Sequence, residues 1–392
     1  MRIFERVQPL TIKGAEVYRD FTSRGKSELY TSDRVLDKPV SNAITVDLSG
    51  YTIYPGLINA HDHLELNHYP RTKFREVYNN AHEWGEDVSK RLNDSPFKEL
   101  RAYPLWDRLF IGGLKNLLCG ATTVAHHNPP HKELFRTDFP VRVLQKYGWT
   151  HSLHFSTDDE VRASYQQTPP DVPWFIHLAE GTDEIAAGEY QRLKELGCVG
   201  KNTVIVHGVG IVREDIEDAV NLPIRGLILC PTTNQFLLQK ITDTNLWGEI
   251  IDWGSKPGMA VGSDSRLTAD GDLLDESRKF LWMPSLLSIS AYVLGIQQDR
   301  GHLQTNAYAD WIAIKKHEYS LTEFALRNIK RADLALVVRG GVPQIGDPDV
   351  MAQFPHIKTV SAILDSVPKA INADLARQIR KCKLQEPGLI LL

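Results

Sequence analysis

Short apolar runs alternate with longer amphipathic stretches between about residue 55 and residue 300. Runs that are apolar throughout are typical of strands buried on both faces of a parallel sheet. The stretches between them, such as 184–196 and 214–220, have the spacing of helices that bury one side. The pattern predicts strands at residues 57–60, 122–125, 150–155, 174–177, 203–207, 226–230 and 259–262.

This alternation of strands and helices predicts an α/β fold with a parallel sheet. A (β/α)8 TIM barrel is favoured over a doubly wound open sheet. Polar side chains that suit a metal end strands far apart in sequence, and a closed ring brings such ends together. The pattern supplies seven strands rather than eight. Residues 166–173 (QQTPPDVP) are typical of a loop, so we expect a strand–helix unit to be shortened or hidden between 155 and 174.

Both ends of the chain have the alternation of β structure. Residues 46–54 alternate around a turn at Ser49 and Gly50 and lead into the strand at 57. Residues 309–314 and 334–339 are further predicted strands. The chain ends are therefore expected to form one small β-sandwich domain. The predicted boundaries are 1–54 plus 303–365 for the sandwich, 55–302 for the barrel and 366–392 for a C-terminal helical tail.

The predicted helical tail depends on three apolar residues. Ile371, Leu375 and Ile379 are spaced four apart, which places them on one face of a helix.

Composition narrows the function without identifying it. The 392 residues are 42% hydrophobic and carry a formal net charge of −4, so no basic excess predicts a nucleic-acid partner. No long apolar run predicts a membrane span, and the N-terminus lacks the apolar core of a signal peptide. The four cysteines form no C-x-x-C pair, which is typical of reduced thiols and favours a cytoplasmic location. A homo-oligomer is left open.

His61 and His63 are the first candidate metal ligands. They close the apolar run that begins at residue 57. Side chains at positions i and i+2 of a strand point to the same side, so both imidazoles can reach one ion. A surface or structural histidine pair is the alternative for this motif taken alone.

Three later predicted strands end in further side chains that can bind a metal. His177 ends a predicted strand, with Glu180 three residues later, and His207 and Asp264 end two more. Each residue alone is also typical of a buried or capping side chain. Together, three neutral imidazoles and one carboxylate suit Zn²⁺ or Fe²⁺ and leave a position for water.

Five segments lie on or at the ends of the predicted strands: Pro55-Gly-Leu-Ile-Asn-Ala-His-Asp-His63, Gly120-Ala-Thr-Thr-Val124, His177-Leu-Ala-Glu180, Val206-His-Gly208 and Gly262-Ser-Asp264. On these segments the chain resembles the amidohydrolase superfamily over most of residues 42–314. This resemblance implies a distorted (β/α)8 barrel with a metal at the carboxyl ends of its strands, and a flanking β-sandwich.

The His-x-x-Glu pairing is similar to that of members with one metal, which are mostly deaminases and dechlorinases of aromatic N-heterocycles. Members with two metals need a bridging group, usually a carbamylated lysine or a glutamate. The corresponding stretch, 152–159, contains no lysine, although Asp158 and Asp159 keep a second metal open. The segment Cys230-Pro-Thr-Thr-Asn234 also resembles Cys-Pro-x-Ser-Asn in guanine-deaminase-like and chlorohydrolase-like members.

The resemblance implies one divalent metal, Zn²⁺ or Fe²⁺, and a role for each matching residue. The expected ligands are His61, His63, His177 and Asp264. Glu180 is expected to carry a proton from the attacking water to a ring nitrogen, His207 to hydrogen-bond the attacking oxygen, and Asp264 to pass a second proton to departing ammonia.

Three more residues are predicted to contact the substrate, each with a structural alternative. His127 could instead be satisfied by loop carbonyls, Trp84 could pack within a helix, and Asn234 could cap a helix.

The predicted reaction is hydrolytic deamination of a small aminated N-heterocycle of the purine, pterin, pyrimidine or triazine type. The alternatives are an amide or carbon–halogen hydrolase with the same site, and a non-catalytic scaffold. The filled ligand positions argue against the scaffold.

Overall fold

A computed structural model describes residues 7–20, 23–222, 224–250, 257–269, 271–280, 283–316 and 328–392. The strands are β1 Leu10–Lys13, β2 Glu16–Tyr18, β3 Arg24–Lys26, β4 Leu29–Thr31, β5 Val35–Leu36, β6 Ile44–Asp47, β7 Tyr51–Pro55, β8 Leu57–Asp62, β9 Ala121–His126, β10 Arg142–Val143, β11 Gly148–Ser152, β12 Trp174–Leu178, β13 Thr203–His207, β14 Gly226–Leu229, β15 Gly258–Val261, β16 Trp311–Lys315, β17 Leu334–Arg339, β18 Val342–Gly346, β19 Thr359–Leu364, β20 Val367–Asn372 and β21 Leu389–Leu391.

The α-helices lie mainly between the strands of the middle part of the chain. They are α1 Ala81–Ser89, α2 Phe97–Arg101, α3 Leu105–Leu118, α4 Asp158–Gln167, α5 Glu184–Glu195, α6 Arg213–Asn221, α7 Pro231–Leu238, α8 Thr244–Ile250, α9 Leu273–Lys279, α10 Ser288–Val293, α11 Pro348–Met351 and α12 Ala373–Lys381. Short 3-10 helices occur at Leu64–Leu66, Lys132–Phe135, Met283–Leu286 and Arg331–Asp333. In the ranges that the structure describes, no helix is both long and apolar enough to cross a membrane.

Two parallel sheets form the middle of the chain, which confirms the predicted α/β class. Their strand orders are β10-β9-β8 and β11-β12-β13-β14-β15, and every neighbouring pair runs parallel. A parallel bridge between Asp62 and Asp264 joins the carboxyl end of β8 to the segment just after β15. The two sheets therefore meet at the carboxyl ends of these strands.

Alternate residues of these strands pack into different apolar clusters. Val204 and Val206 of β13 belong to a cluster with Ile58, Phe175 and Ile228 of other parallel strands. Ile205 between them packs in another cluster, together with residues of helices such as α5. Burial on both faces explains why these strands have continuous apolar sequences.

Of the eight parallel strands, β10 is the one that the sequence pattern did not predict. It pairs with β9 through only two residues, and the amide of Leu144 donates to the carbonyl of Val124 at 2.9 Å. Two residues are too few to show a periodic pattern. The stretch in which a hidden strand–helix unit was expected contains helix α4 instead. This helix begins with a capping box between Thr157 and Glu160.

The two ends of the chain meet in a nine-stranded sheet of order β21-β19-β20-β18-β17-β16-β7-β2-β3. Strand β16 pairs antiparallel with β7, so residues 311–315 lie beside residues 51–55. A second sheet, β5-β4-β1-β6, shares an apolar cluster with it. The cluster includes Ile12, Val46, Ile53, Trp311 and Leu336.

The predicted helical tail over 366–392 is wrong at both ends. Only Ala373–Lys381 is helical, while Val367–Asn372 and Leu389–Leu391 are strands of the nine-stranded sheet. Strand β20 pairs with β19 along its length, so a boundary at 366 cuts a hairpin. Ile371 is buried on this strand and is not part of the helix. The sequence pattern was ambiguous here, because residues four apart share a face in a strand as well as in a helix.

Candidate metal centre

Four buried side chains from four segments converge at the carboxyl ends of the parallel strands. His61 lies on β8, His177 on β12 and His207 at the end of β13, and Asp264 follows β15. One ligand-type atom of each lies within 4.8 Å of those of the others. His207 and Asp264 have positive φ angles of 74° and 47°. Residues other than glycine adopt this backbone conformation only at a cost in free energy. The fold therefore holds both residues in place against local strain.

His63 lies beside this group and shares its carboxylate. The Nε2 atoms of His61 and His63 are 3.3 Å and 3.4 Å from Oδ1 of Asp264. The convergence of the His-x-His pair on one point thus agrees with the i, i+2 argument. The compact group includes His207 rather than His63, so five residues adjoin the centre where the sequence predicted four ligands.

Hydrogen bonds determine which imidazole nitrogen faces the centre. Nδ1 of His177 donates to the backbone carbonyl of His151 at 2.9 Å, so its Nε2 has a free lone pair. That Nε2 lies 3.3 Å from Nε2 of His61. The lone pair on Nε2 of His177 is therefore directed at His61 beside a carboxylate oxygen, which fits a cation at this point. A ligating histidine held through its other nitrogen is also typical of metal sites.

Burial of the imidazoles, and the neighbours of Asp264, keep these side chains in the protonation states that a metal requires. It lowers the pKa of His61, and lowers that of His177 well below 6.5 with help from His127 and His151. Burial would raise the pKa of Asp264, but the hydrogen bond to His61 and the adjacent His63 and His207 hold it well below 3.8. Neutral imidazoles and an ionised carboxylate form a donor set suited to Zn²⁺.

The second oxygen of Asp264 has its own partners. Oδ2 accepts hydrogen bonds from the hydroxyls of Thr233 and Thr268, at 2.8 Å and 3.0 Å. Oδ1 is therefore the oxygen that faces His61 and His63.

Glu180 is placed beside this cluster without being part of the compact group. Its Oε2 lies 3.4 Å from Nε2 of His207. Burial, and then the negative charges of Asp264 and Glu189, raise the pKa of Glu180 well above 4.5. The carboxyl group therefore keeps its proton to a higher pH than an exposed glutamate does.

A cavity of about 450 Å³ opens onto the cluster. His63, His177, Glu180, His207 and Asp264 all line it. Much of its wall is apolar, with contributions from Leu66, Tyr69, Trp84, Val88, Leu92, Phe97, Phe155, Leu237 and Leu267.

Of the three predicted substrate contacts, only Trp84 lines the cavity. Its Nε1 donates to the carbonyl of Thr72 at 3.0 Å. His127 is buried behind the site, where its Nδ1 lies 3.3 Å from Nδ1 of His61 and its ring stacks on His177. Asn234 is also buried outside the cavity lining, on α7, and bonds to His207. The structure therefore places His127 and Asn234 behind the site imidazoles rather than at the cavity wall, where the sequence analysis expected them.

The carboxylates considered for a second metal lie elsewhere. Asp158 and Asp159 are at the start of α4, where they form surface ion pairs with Arg192 and Arg162. Neither is in the compact group of metal-binding side chains.

Sequence reasoning missed a set of buried polar residues behind the His-x-His motif. Asp62 and Lys115 form a buried ion pair there, with Asn59, Asn116 and Ser263 around it. The position of Asp62 between two ligand-type histidines was an available signal, since alternation along a strand directs it to the opposite face. Lys115 had no comparable signal, because it lies in the middle of helix α3.

Comparisons with known proteins agree on the fold. No family model and no curated protein sequence matches the chain. Solved structures do match. An adenosine deaminase from Xanthomonas campestris with bound zinc aligns with a TM-score of 0.66 at 15% identity, over 89% of this chain and 96% of its own. An atrazine chlorohydrolase from Arthrobacter aurescens TC1 complexed with zinc gives 0.69 at 16%, over 88% and 99%.

An amidohydrolase from Brucella melitensis aligns with a TM-score of 0.62 at 14% identity, over 89% of this chain and 98% of its own. Such low identities establish similarity of fold rather than of activity. This chain therefore has the fold of amidohydrolase-type enzymes along most of its length.

Proposed function

We propose that this chain belongs to the amidohydrolase superfamily and is a metal-dependent hydrolase that deaminates an aminated N-heterocycle. The observation that carries the proposal is the convergence of His61, His177, His207 and Asp264 beside Glu180, at one end of an apolar cavity. The zinc-bound deaminase and chlorohydrolase structures of the same fold support it.

The proposal includes the finer architecture. The eight parallel strands β8–β15 would form a distorted (β/α)8 barrel, which the bridge between Asp62 and Asp264 supports because it joins the two sheets. The two sheets built from the chain ends would form the β-sandwich, supported by their shared apolar cluster.

His61, His63, His177 and Asp264 are proposed to hold one divalent metal, with Zn²⁺ preferred to Fe²⁺. His207 is assigned a different role because its Nε2 faces Glu180 at 3.4 Å. When bound, Zn²⁺ acts as a Lewis acid that activates water for attack at neutral pH.

The protein side chains would then move the protons. Glu180 takes one proton from the attacking water and delivers it to the ring nitrogen next to the amino-bearing carbon. Nε2 of His207 accepts a hydrogen bond from the attacking water and so orients it, because the proton of the neutral ring is on Nδ1, where it bonds to Asn234. Asp264 takes the second proton from this oxygen and passes it to the amino group, so that the carbon–nitrogen bond breaks and ammonia leaves. The ring keeps a carbonyl and an N–H, which balances the reaction.

The cavity favours a small, flat substrate. Trp84, Phe97 and Phe155 supply aromatic surface, and polar groups are concentrated near Glu180 and the histidines. An aminated purine, pterin, pyrimidine or triazine fits this distribution. Hydrolysis of a carbon–halogen bond by the same site is the second candidate, favoured by the atrazine chlorohydrolase of the same fold.

We also propose a cytoplasmic location. All four cysteines are free, and Cys119, Cys198 and Cys230 are buried, which agrees with a reducing compartment.

Ammonia release from a panel of aminated heterocycles by zinc-loaded protein tests the proposal. The panel includes a chlorinated triazine, with chloride release recorded in parallel to detect the second candidate activity. Glu180→Gln should keep its zinc but lose at least about a hundredfold in kcat, since proton transfer supplies roughly that much. Glu195→Gln, an exposed glutamate on α5, is the matched control and should retain wild-type turnover. Full activity of Glu180→Gln contradicts the proposed proton carrier.

A further inference from the structure

A lysine–aspartate pair lies fully buried behind the His-x-His motif. Nζ of Lys115 is 3.0 Å from Oδ2 of Asp62, and neither side chain has exposed surface. Asp62 stands between His61 and His63, and neither it nor Lys115 lines the cavity. Removing two charges from water is costly, and good geometry with additional hydrogen bonds is needed to offset it.

The carboxylate of Asp62 has those additional bonds on both oxygens. Oδ1 accepts from Nδ2 of Asn67 at 2.7 Å. Oδ2 accepts from Nδ2 of Asn116 at 2.7 Å and from the hydroxyl of Ser263 at 3.1 Å. Lys115 also donates to Oγ of Ser263 at 3.0 Å. Lys115 therefore contacts Asp62 and Ser263 together.

These contacts join the two segments that carry the proposed metal ligands on β8 and after β15. Ser263 directly precedes Asp264. Oδ1 of Asn59 accepts from the amides of Ser263 and His61, at 3.0 Å and 3.3 Å. The amide of His63 donates to the carbonyl of Asp264 at 2.7 Å, and the amide of Asp264 donates to the carbonyl of His61 at 3.0 Å. The segments touch closely, with little room for rearrangement.

Gly262 shows how close this approach is. A Cβ atom at this position would lie 2.6 Å from Cβ of His61, so the two strand ends can pack this closely only because residue 262 is glycine. Asp264 has the left-handed φ angle given above, and a strained residue keeps its conformation only when its surroundings hold it.

We infer that Lys115 is a positioning residue for the metal centre. Its ammonium group holds Asp62 and Ser263 together, which places His61, His63 and Asp264 relative to one another. The inference rests on the proposed metal site and adds a determinant of metal affinity that contacts neither the cavity nor the side chains of the proposed ligands. Outer partners of this kind commonly change metal affinity by about 10–100-fold.

The chain contains a matched control for the cost of removing a buried lysine. Lys369 on β20 is buried, with its Nζ 2.6 Å from Oδ1 of Asp347 and 2.8 Å from the carbonyl of Leu334. Lys369 lies in the nine-stranded sheet and Asp347 directly follows its strand β18, and the proposed metal ligands all lie on other segments. Lys115→Met and Lys369→Met therefore each remove a buried lysine charge that is paired with an aspartate, at two different places.

Zinc affinity of the full chain, measured by competition with a chromophoric chelator, tests the inference. Lys115→Met should bind zinc about 10–100-fold more weakly than wild type. Lys369→Met should stay within about twofold, because independent sites do not couple. The melting temperature of the metal-free protein should fall in both. Wild-type zinc affinity in Lys115→Met, or an equal loss in both variants, overturns the inference.

A double variant keeps the test valid if Lys115→Met fails to fold. Asp62→Asn combined with Lys115→Met leaves no unpaired buried charge, so it should be more stable than Lys115→Met alone. Its zinc affinity should still be reduced, since Ser263 has lost its lysine partner. Wild-type affinity in this double variant also contradicts the inference. A wild-type chain that binds no zinc would contradict the proposed function as well, whereas equal affinities in all proteins contradict this inference alone.

Discussion

Asn234 fixes the orientation of His207 by a hydrogen bond of 2.8 Å between Oδ1 of the amide and Nδ1 of the imidazole. Both side chains are buried, and His207 has the left-handed φ angle of 74°. Because Nδ1 carries the proton in this bond, Nε2 is the nitrogen that faces Glu180 at 3.4 Å. Burial lowers the pKa of His207 to about 4, so the ring is neutral at pH 7.

Asn234→Ala should therefore reduce kcat rather than raise KM. Without the amide, the ring of His207 loses the partner that selects its tautomer, and a loss of about 10–100-fold is typical for such partners. Steady-state kinetics on the best substrate of the ammonia screen separates the two parameters, and zinc content should stay unchanged. A rise in KM alone would instead support the direct substrate contact that the sequence predicted for Asn234.

Asn234→Asp provides the control for this position. An aspartate keeps an acceptor oxygen within reach of Nδ1, so kcat should remain closer to wild type than in Asn234→Ala. If both variants lose the same activity, the loss of packing rather than of the hydrogen bond explains the effect.

Trp84 should determine substrate affinity through its aromatic surface. Trp84→Ala should raise KM by about 10–100-fold, the equivalent of roughly 1.5–3 kcal/mol for uncovering one large apolar side chain. Trp84→Phe keeps a ring and loses the bond to Thr72, so its KM should rise less. Unchanged KM in Trp84→Ala would exclude a substrate contact and leave Trp84 as part of the helix packing.

Glu276 should make the protein less stable as the pH rises. Burial raises its pKa to about 8, against an ordinary value of 4.5, and it accepts hydrogen bonds from the amide and hydroxyl of Thr232. The folded state therefore binds a proton between these two values that the unfolded state has released. Stability is highest below about pH 4.5 as far as this group is concerned, and falls until about pH 8.

Glu276→Gln removes this titration and keeps a similar shape. The free energy of unfolding of the variant relative to wild type should increase between pH 5 and pH 9 by a few kcal/mol, since one pKa unit corresponds to about 1.4 kcal/mol. Urea unfolding of both metal-free proteins at each pH measures the difference, and contributions from other groups cancel. A difference that stays constant with pH would show that Glu276 is ionised throughout.

The parts of the fold that could be predicted from sequence are those with long, unambiguous patterns. Strands such as Thr203–His207 are apolar on both faces and were located within a residue or two. Arg142–Val143 is too short to form a pattern. At Ile371 the spacing itself was ambiguous, because residues four apart share a face in both helices and strands. Only the pairing of β20 with β19 shows that Ile371 lies on a strand and not on a helix.

The candidate site divides in the same way. His61 and His63 could be placed together because strand alternation is a local rule. Which buried side chains line a cavity depends on how distant segments pack, so His127 and Asn234 were expected in front of the site and lie behind it. The same limit hid Lys115, whose partner Asp62 is distant in sequence.

Metal content of the purified, zinc-equilibrated protein tests the central claim most directly. Elemental analysis should find about one zinc per chain in wild type, as expected for a site with one set of three histidines and one aspartate. His177→Ala should retain almost none, while His356→Ala, at an exposed histidine outside the cluster, should match wild type. About two metals per chain, or full zinc retention in His177→Ala, would contradict a single metal held at the carboxyl ends of the parallel strands.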